Sequence, residues 1–238
     1  MSENRQEIIL VTGASRGMGR QLCKQFVAHG KTVYGFARSA SDLISLEKEL
    51  GAAFIPFTGD VTKPEDVDSL FGIIDDAGQI PATLINNAGV GVFKHMEDLL
   101  LDDWQLMIDT NLTGTFLMTQ AAVRRMKLQQ AGTIVNIVSV AGKEVFRNGS
   151  GYTASKFGLD GFTKVIREEL RKFRIRVIAV YPGVVDSTWW DAIRGSDSLP
   201  RHKMLKPDAV VAAIIHALEQ PADTVIEELI IRNIAGKY

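Results

Sequence analysis

The sequence predicts an α/β fold, a parallel sheet with helices on both faces. Three observations carry this. Short apolar runs alternate with amphipathic segments along the chain, the pattern of strands buried on both sides. The first run passes directly into a glycine-rich turn. Polar residues suited to chemistry stand just past the ends of later runs, where an open parallel sheet presents its ligand crevice.

Residues 8–11, Ile-Ile-Leu-Val, are too short for a helix and read as a strand. The turn Thr12-Gly13-Ala14-Ser15-Arg16-Gly17-Met18-Gly19 and a helix through His29 follow. Free N–H groups at the start of that helix attract phosphate, and glycines let the backbone approach it. A second strand at 32–38 ends in Ala37-Arg38, where a dinucleotide-binding unit usually carries an acid for the ribose. A guanidinium there suits a phosphate dianion, so Arg38, with Arg16, favours NADP(H) over NAD(H).

Ser41 is expected to cap a helix ending at Leu50, and 53–57 form a third strand. Asp60 and Val61 follow, and Pro64-Glu65-Asp66 opens another helix. A fourth strand at 82–85 runs into Asn86-Asn87-Ala88-Gly89. Residues 102–130 read as one long helix with Trp104, Ile108, Leu112 and Phe116 on a buried side and Asn111 beside them. A fifth strand at 133–138 stops at Ser139. A helix from Tyr152 to about Phe173 ends in charges, with Glu168 expected to pair with Lys172. A sixth strand, 176–181, ends in Pro182-Gly183. Residues 184–205 break the pattern and suggest a lid, before a helix at 207–220 and a seventh strand at 225–231.

Composition narrows the function. The 238 residues are 46% hydrophobic with a formal charge of -1, enough for a full core and without pull toward nucleic acid. No apolar run approaches the roughly 20 residues of a membrane span, and the polar start carries no signal-peptide core, so a cytoplasmic location is the default expectation. The lone Cys23 reads as a small buried hydrophobe, and the four histidines make no metal-ligand spacing.

Tyr152 and Lys156 stand four positions apart, so their side chains share a helix face. Making a phenol a useful acid at neutral pH requires favouring its phenolate by about three units, or roughly 4 kcal/mol. An ammonium at ~5 Å in an effective dielectric of ~20 contributes about 3 kcal/mol, so Lys156 is expected to depress the Tyr152 pKa.

Thr12-Gly13-x-x-x-Gly17-x-Gly19, Asn86-Asn87-Ala88-Gly89, Asn111, Ser139, Tyr152-x-x-x-Lys156 and Pro182-Gly183 together resemble the short-chain dehydrogenase/reductase family in its shorter cytosolic form. The resemblance implies a single Rossmann-type doubly wound domain across the chain, with a seven-stranded parallel sheet. It implies that Gly13, Gly17 and Gly19 line a pyrophosphate turn with Ser15, Arg16 and Met18, that Asp60 and Val61 meet the adenine, and that Asn87, Ala88 and Gly89 pack under the adenosine ribose. It implies Tyr152 as general acid and base, Lys156 on the nicotinamide ribose, Ser139 on the substrate oxygen, and Asn111 holding a water through a break in its helix. Pro182, Gly183, Val185 and either Ser187 or Thr188 would meet the carboxamide side.

The expected reaction is hydride transfer between NADP(H) and a small carbonyl or secondary alcohol, with Phe93, Val145, Phe146, Trp189 and Trp190 lining an apolar substrate pocket. Self-association through the helices around Leu112 and Phe162 is implied by the same resemblance. Two rivals stand beside it. One is a non-catalytic NADP(H)-binding sensor. The other is a serine hydrolase, since Gly13-Ala14-Ser15-Arg16-Gly17 matches a nucleophile elbow, with Ser15 as nucleophile.

Overall fold

The computed structural model describes residues 7–192 and 201–234. Seven strands, β1 (Glu7–Thr12), β2 (Thr32–Ala37), β3 (Phe54–Thr58), β4 (Ile80–Asn86), β5 (Gly132–Ile137), β6 (Ile175–Pro182) and β7 (Glu228–Ile231), form one sheet in the order β3-β2-β1-β4-β5-β6-β7. Every pairing is parallel. The order reverses between β1 and β4. A crevice opens there above the strand C-termini.

Side-chain alternation divides the core into two halves. Ile9, Val11, Val33, Ile85, Val135 and Val180 face the helices α1 (Gly17–Ala28), α2 (Ala40–Leu50) and α7 (Pro207–Leu218). Ile8, Leu10, Tyr34, Leu84, Ile134 and Val177 face α3 (Pro64–Asp76), α5 (Gly114–Gln129) and α6 (Ser150–Arg171). Two buried faces explain why the strands read as continuous apolar runs. Cys23 is fully buried on the inner face of α1, and desolvation pushes its thiol pKa far up, so it packs as a hydrophobe.

Several local expectations are corrected. Ser39, not Ser41, caps α2, its Oγ accepting from Asp42 N at 3.4 Å. The expected single helix at 102–130 is α4 (Leu101–Ile108), a π-turn over Asp109–Thr113, and α5. Trp104 and Phe116 are 38% and 41% exposed, so the supposed buried stripe turns partly outward while Asn111 is fully buried. Glu168 pairs with Arg171 at 2.8 Å; Lys172 lies over the Phe173 ring instead. Of the irregular stretch 184–205, residues 193–200 lie outside the described residues, and with them Gly195, Ser196, Ser198 and Pro200. No helix among the described residues is long and apolar enough to cross a membrane, and no His, Cys, Asp or Glu group among them could hold a metal.

Candidate active site

The turn after β1 is shaped by its glycines. Gly13 has φ +65°, and a Cβ there would come within 2.9 Å of Ala88 Cα, so a side chain would be strained and obstructed. A Cβ on Gly19 would lie 2.1 Å from Gly13 O. Gly19 therefore seals the turn from behind rather than lining the crevice, as had been expected of it. Asn87 braces the same turn, its Nδ2 donating to Thr12 O at 3.0 Å and Gly13 O at 3.3 Å. The first turn of α1 carries no acid, and Arg16 at the N-cap makes no side-chain cap. Its leading N–H groups are thus left to a ligand.

A cavity of about 800 Å³ runs from this turn across the strand ends. Its near end is lined by Gly13, Ser15, Arg16, Gly17 and Met18, with Arg38, Asp60 and Val61 at the far wall. Arg38 is an open cation, its Nη1 3.9 Å from Asp60 Oδ2 and its side chain 64% exposed. The Asp60 carboxylate is engaged by its own turn, Oδ1 accepting from Thr62 N and Oγ1, each at 2.9 Å. Ala88, Gly89, Pro182, Gly183, Val185 and Ser187 line the middle, and of the Ser187/Thr188 alternatives only Ser187 does so.

Ser139, Tyr152 and Lys156 meet in this cavity. Ser139 follows β5 with φ 135° and ψ 158°, a region that side chains seldom occupy, and such strain costs about 1–3 kcal/mol. Its hydroxyl also hydrogen-bonds the Tyr152 phenol. Lys156 is buried, with Nζ donating to Ile137 O at 2.9 Å and lying 5.8 Å from the Tyr152 ring centre. Asn111 lies behind the cavity wall in the π-turn. Its Oδ1 accepts from Val90 N at 2.8 Å, and its Nδ2 donates to Val90 O and Ser155 Oγ, both at 2.9 Å. Ser155 Oγ in turn donates to Tyr152 O at 2.7 Å, which ties the π-turn to the Tyr152 helix. Sequence reasoning did not single out Ser155, whose only signal was its place before Lys156.

The electrostatic expectation for this pair is overturned. Burial pushes the Tyr152 phenol up to about 12, with the Ser139 hydrogen bond only partly opposing it. Burial also pulls Lys156 down to about 7 from 10.5, and its hydrogen bond goes to a neutral carbonyl. A desolvated amine that sheds its proton near neutrality cannot supply the full charge assumed for it. The phenol is therefore protonated at neutral pH in this structure.

The other end of the cavity is aromatic. Phe93 stacks on Trp190 with ring centres 6.2 Å apart and lies 5.5 Å from Tyr152, while Trp189 lies 5.9 Å from Tyr152. Trp189 is fixed by Nε1 donating to Gly89 O at 3.0 Å. Phe146 joins this end. Val145 does not: it is 83% exposed and points into solvent, since the short stretch before α6 turns its neighbour inward. Arg147, Met204, Ser39 and Asp42 line the cavity without having been predicted, because no local motif marks them. Ser15 lines it too, but no histidine is among the lining residues, which leaves a hydrolase without its base.

The chain matches the model of a family described as short chain dehydrogenase over residues 7–197. It is 36% identical over 242 residues to the sepiapterin reductase of Chlorobaculum tepidum, covering 97% of this chain and 98% of that one. It is 31% identical over 229 residues to an uncharacterized oxidoreductase of Staphylococcus aureus, covering 96% and 97%. Among solved structures, the closed form of a serine dehydrogenase complexed with NADP+ superposes with a TM-score of 0.91 at 28% identity, over 97% of this chain and 96% of that one. An alcohol dehydrogenase of the archaeon Thermococcus sibiricus complexed with 5-hydroxy-NADP gives 0.86 at 26%, over 98% and 99%. With the parallel sheet, the glycine turn and the Ser-Tyr-Lys cluster already in place, these matches settle the family: the chain belongs to the short-chain dehydrogenases and is an oxidoreductase.

Proposed function

We propose that the protein is an NADP(H)-dependent carbonyl reductase, able to run in reverse as a secondary alcohol dehydrogenase. The observation that carries this reading is the convergence of Ser139, Tyr152 and Lys156 in one cavity whose opposite end is an uncapped helix N-terminus beside Arg16 and Arg38. A dinucleotide fits that end, because the N–H groups that lead α1 carry no side-chain cap and the cations there lie where a ribose phosphate would need them. The NADP complexes of the serine and alcohol dehydrogenases support the same choice of cofactor.

The bound nicotinamide would supply the hydride. The chain's residues do the rest. The Tyr152 phenol, protonated at neutral pH, donates its proton to the carbonyl oxygen as the carbon accepts hydride, so one proton and one hydride turn C=O into CH–OH. Ser139 donates a hydrogen bond to the same oxygen as negative charge develops on it. Lys156 holds the ribose and refills the Tyr152 proton, and the π-turn at Asn111 keeps the Tyr152 helix in register through Ser155. Phe93, Trp189 and Trp190 exclude water and offer flat walls to an apolar or ring-bearing carbonyl compound. The likeness to a sepiapterin reductase supports a flat heterocyclic ketone as one candidate. Phe116 against Phe162, with Phe157 44% and Val165 57% exposed on α6, supports self-association along α5 and α6.

A screen of ketones and aldehydes following NADPH absorbance, with NADH as control, tests the reading. Turnover with NADPH is expected, and tight NADPH binding without oxidation by any carbonyl would favour the sensor instead. Arg38→Ala is expected to raise the KM for NADPH about 10-fold or more while leaving that for NADH nearly unchanged, the loss of a charge-assisted phosphate contact. Ser139→Gly separates stability from activity. It should leave the melting temperature unchanged or higher, since relief of about 1–3 kcal/mol of strain exceeds the roughly 0.5–1 kcal/mol entropic cost of glycine. Turnover with the same variant should fall by about 10-fold or more.

A further inference from the structure

A second cavity, of about 330 Å³, lies at the opposite end of the sheet from the cleft, where β6 and β7 begin and α6 ends. Four arginines line it, Arg167, Arg171, Arg174 and Arg176. In the sequence this run reads as a solvated helix end, but the fold brings the four residues to one cavity.

Their partners divide them. Arg167 is buried, with Nε donating to Val177 O at 3.1 Å, Nη2 to Glu227 O at 2.7 Å and Nη1 3.6 Å from Glu227 Oε2. Arg171 Nη2 binds Glu168 Oε1 at 2.8 Å and Glu227 Oε1 at 3.0 Å. Those two arginines are neutralised by carboxylates. Arg176 is not: its Nε donates to Thr133 Oγ1 at 3.1 Å, and its Nη atoms donate to Leu218 O, Gln220 O and Thr224 O at 3.1–3.4 Å. All of these acceptors are neutral, and desolvation lowers its pKa accordingly. Arg174, in a left-handed turn at φ 57° with its N–H donating to Arg171 O at 3.0 Å, is exposed, and its side chain has no hydrogen-bond or ion-pair partner among the described residues. Asp223 also lines the cavity, its Oδ1 accepting from Thr224 Oγ1 at 3.2 Å.

Counting the cavity and its ion pairs together, four guanidinium groups stand against the three carboxylates of Glu168, Glu227 and Asp223, a surplus of one positive charge. A surplus of one within this volume suits a single small oxyanion and does not suit a nucleic acid chain. We propose that this cavity is a second anion site, taking one phosphoryl-type oxyanion on Arg174 and Arg171, with the Arg176 charge behind them. Planar guanidinium groups are the side chains whose donor geometry matches such oxygens. Asp223 opposes the ligand and sets a limit on how much negative charge the site accepts.

The test is calorimetric titration of the full chain with inorganic phosphate and, separately, with glycerol phosphate, each against chloride at matched ionic strength. The Arg174 side chain is exposed and makes no hydrogen bond or ion pair among the described residues, so Arg174→Ala should unfold at the wild-type temperature in the absence of ligand. It should weaken phosphate binding about 10-fold or more. Arg174→Lys should recover part of that loss, and Asp223→Asn should tighten binding several-fold, a gain that a merely structural arginine cluster would not produce. Equal or tighter binding of glycerol phosphate assigns the site to a phosphorylated metabolite, and binding of phosphate alone assigns it to the free ion. Binding that survives Arg174→Ala but disappears in Arg38→Ala places the anion in the cleft and overturns the proposal. So does a response that chloride reproduces.

Discussion

Tyr152→Phe is expected to lower kcat for carbonyl reduction by about 10²–10⁴-fold, the range a positioned general acid contributes, while the KM for NADPH changes little. The substitution removes one oxygen from a ring already packed against Phe93 and Trp189, so the fold should be unaffected. Steady-state kinetics with a responsive ketone and a thermal melt on the same sample read both halves of this expectation. The pH dependence follows from the ionisation of the same group. A phenol at about 12 carries its proton throughout the neutral and mildly alkaline range, so reduction should not fall between pH 7 and 9 for want of the acid. Alcohol oxidation needs the phenolate and should climb with pH over that window. An oxidation rate flat in pH would show that another group accepts the proton.

Lys156→Met should abolish most turnover and make the folded chain more stable. The amine is buried and its folded pKa of about 7 lies below the ordinary 10.5. Between those values the unfolded chain binds a proton that the folded chain does not, so wild-type stability rises as pH rises through the window and the burial penalty is fully present below pH 7. A shift of this size corresponds to a few kcal/mol at neutral pH. Methionine is close in volume and needs no charge, so the penalty disappears and denaturant midpoints at pH 7 should increase. The variant should also lose the wild-type rise in stability between pH 7 and 10. Equal midpoints across that range for both proteins would mean that Lys156 keeps its charge in the folded state.

Much of this was legible in the chain because it rests on short-range chemistry. Continuous apolar runs such as Ile8 to Val11 and Thr133 to Val138 can only be strands buried on both faces, and β1 and β5 are such strands. Gly13, Ser139, Tyr152 and Lys156 were found through their spacing, and all four reach one cavity. What the sequence hid depends on long-range packing. The π-turn at Asp109–Thr113 interrupts a segment that reads as one helix, and it exists because Asn111 is drawn into hydrogen bonds with Val90 and Ser155, 21 and 44 positions away. Spacing overstates the ionisation of Tyr152 because it sets a distance but not a solvent environment; burial of both partners outweighs their attraction. Val145 and Phe146 are neighbours of similar hydrophobicity, and only the path of the backbone before α6 decides which of them enters the cleft. Arg147 has no motif at all, yet it lines the cavity.

The central claim is that the cleft transfers hydride from NADPH to a carbonyl carbon while Tyr152 gives the proton. NADPH deuterated at C4 on the transferring face tests it in one measurement on the wild-type chain with a ketone that it consumes. The account predicts an alcohol bearing one deuterium on the carbinol carbon and none on its oxygen after exchange into ordinary water. An alcohol free of deuterium, or NADPH oxidised with the ketone untouched, contradicts it.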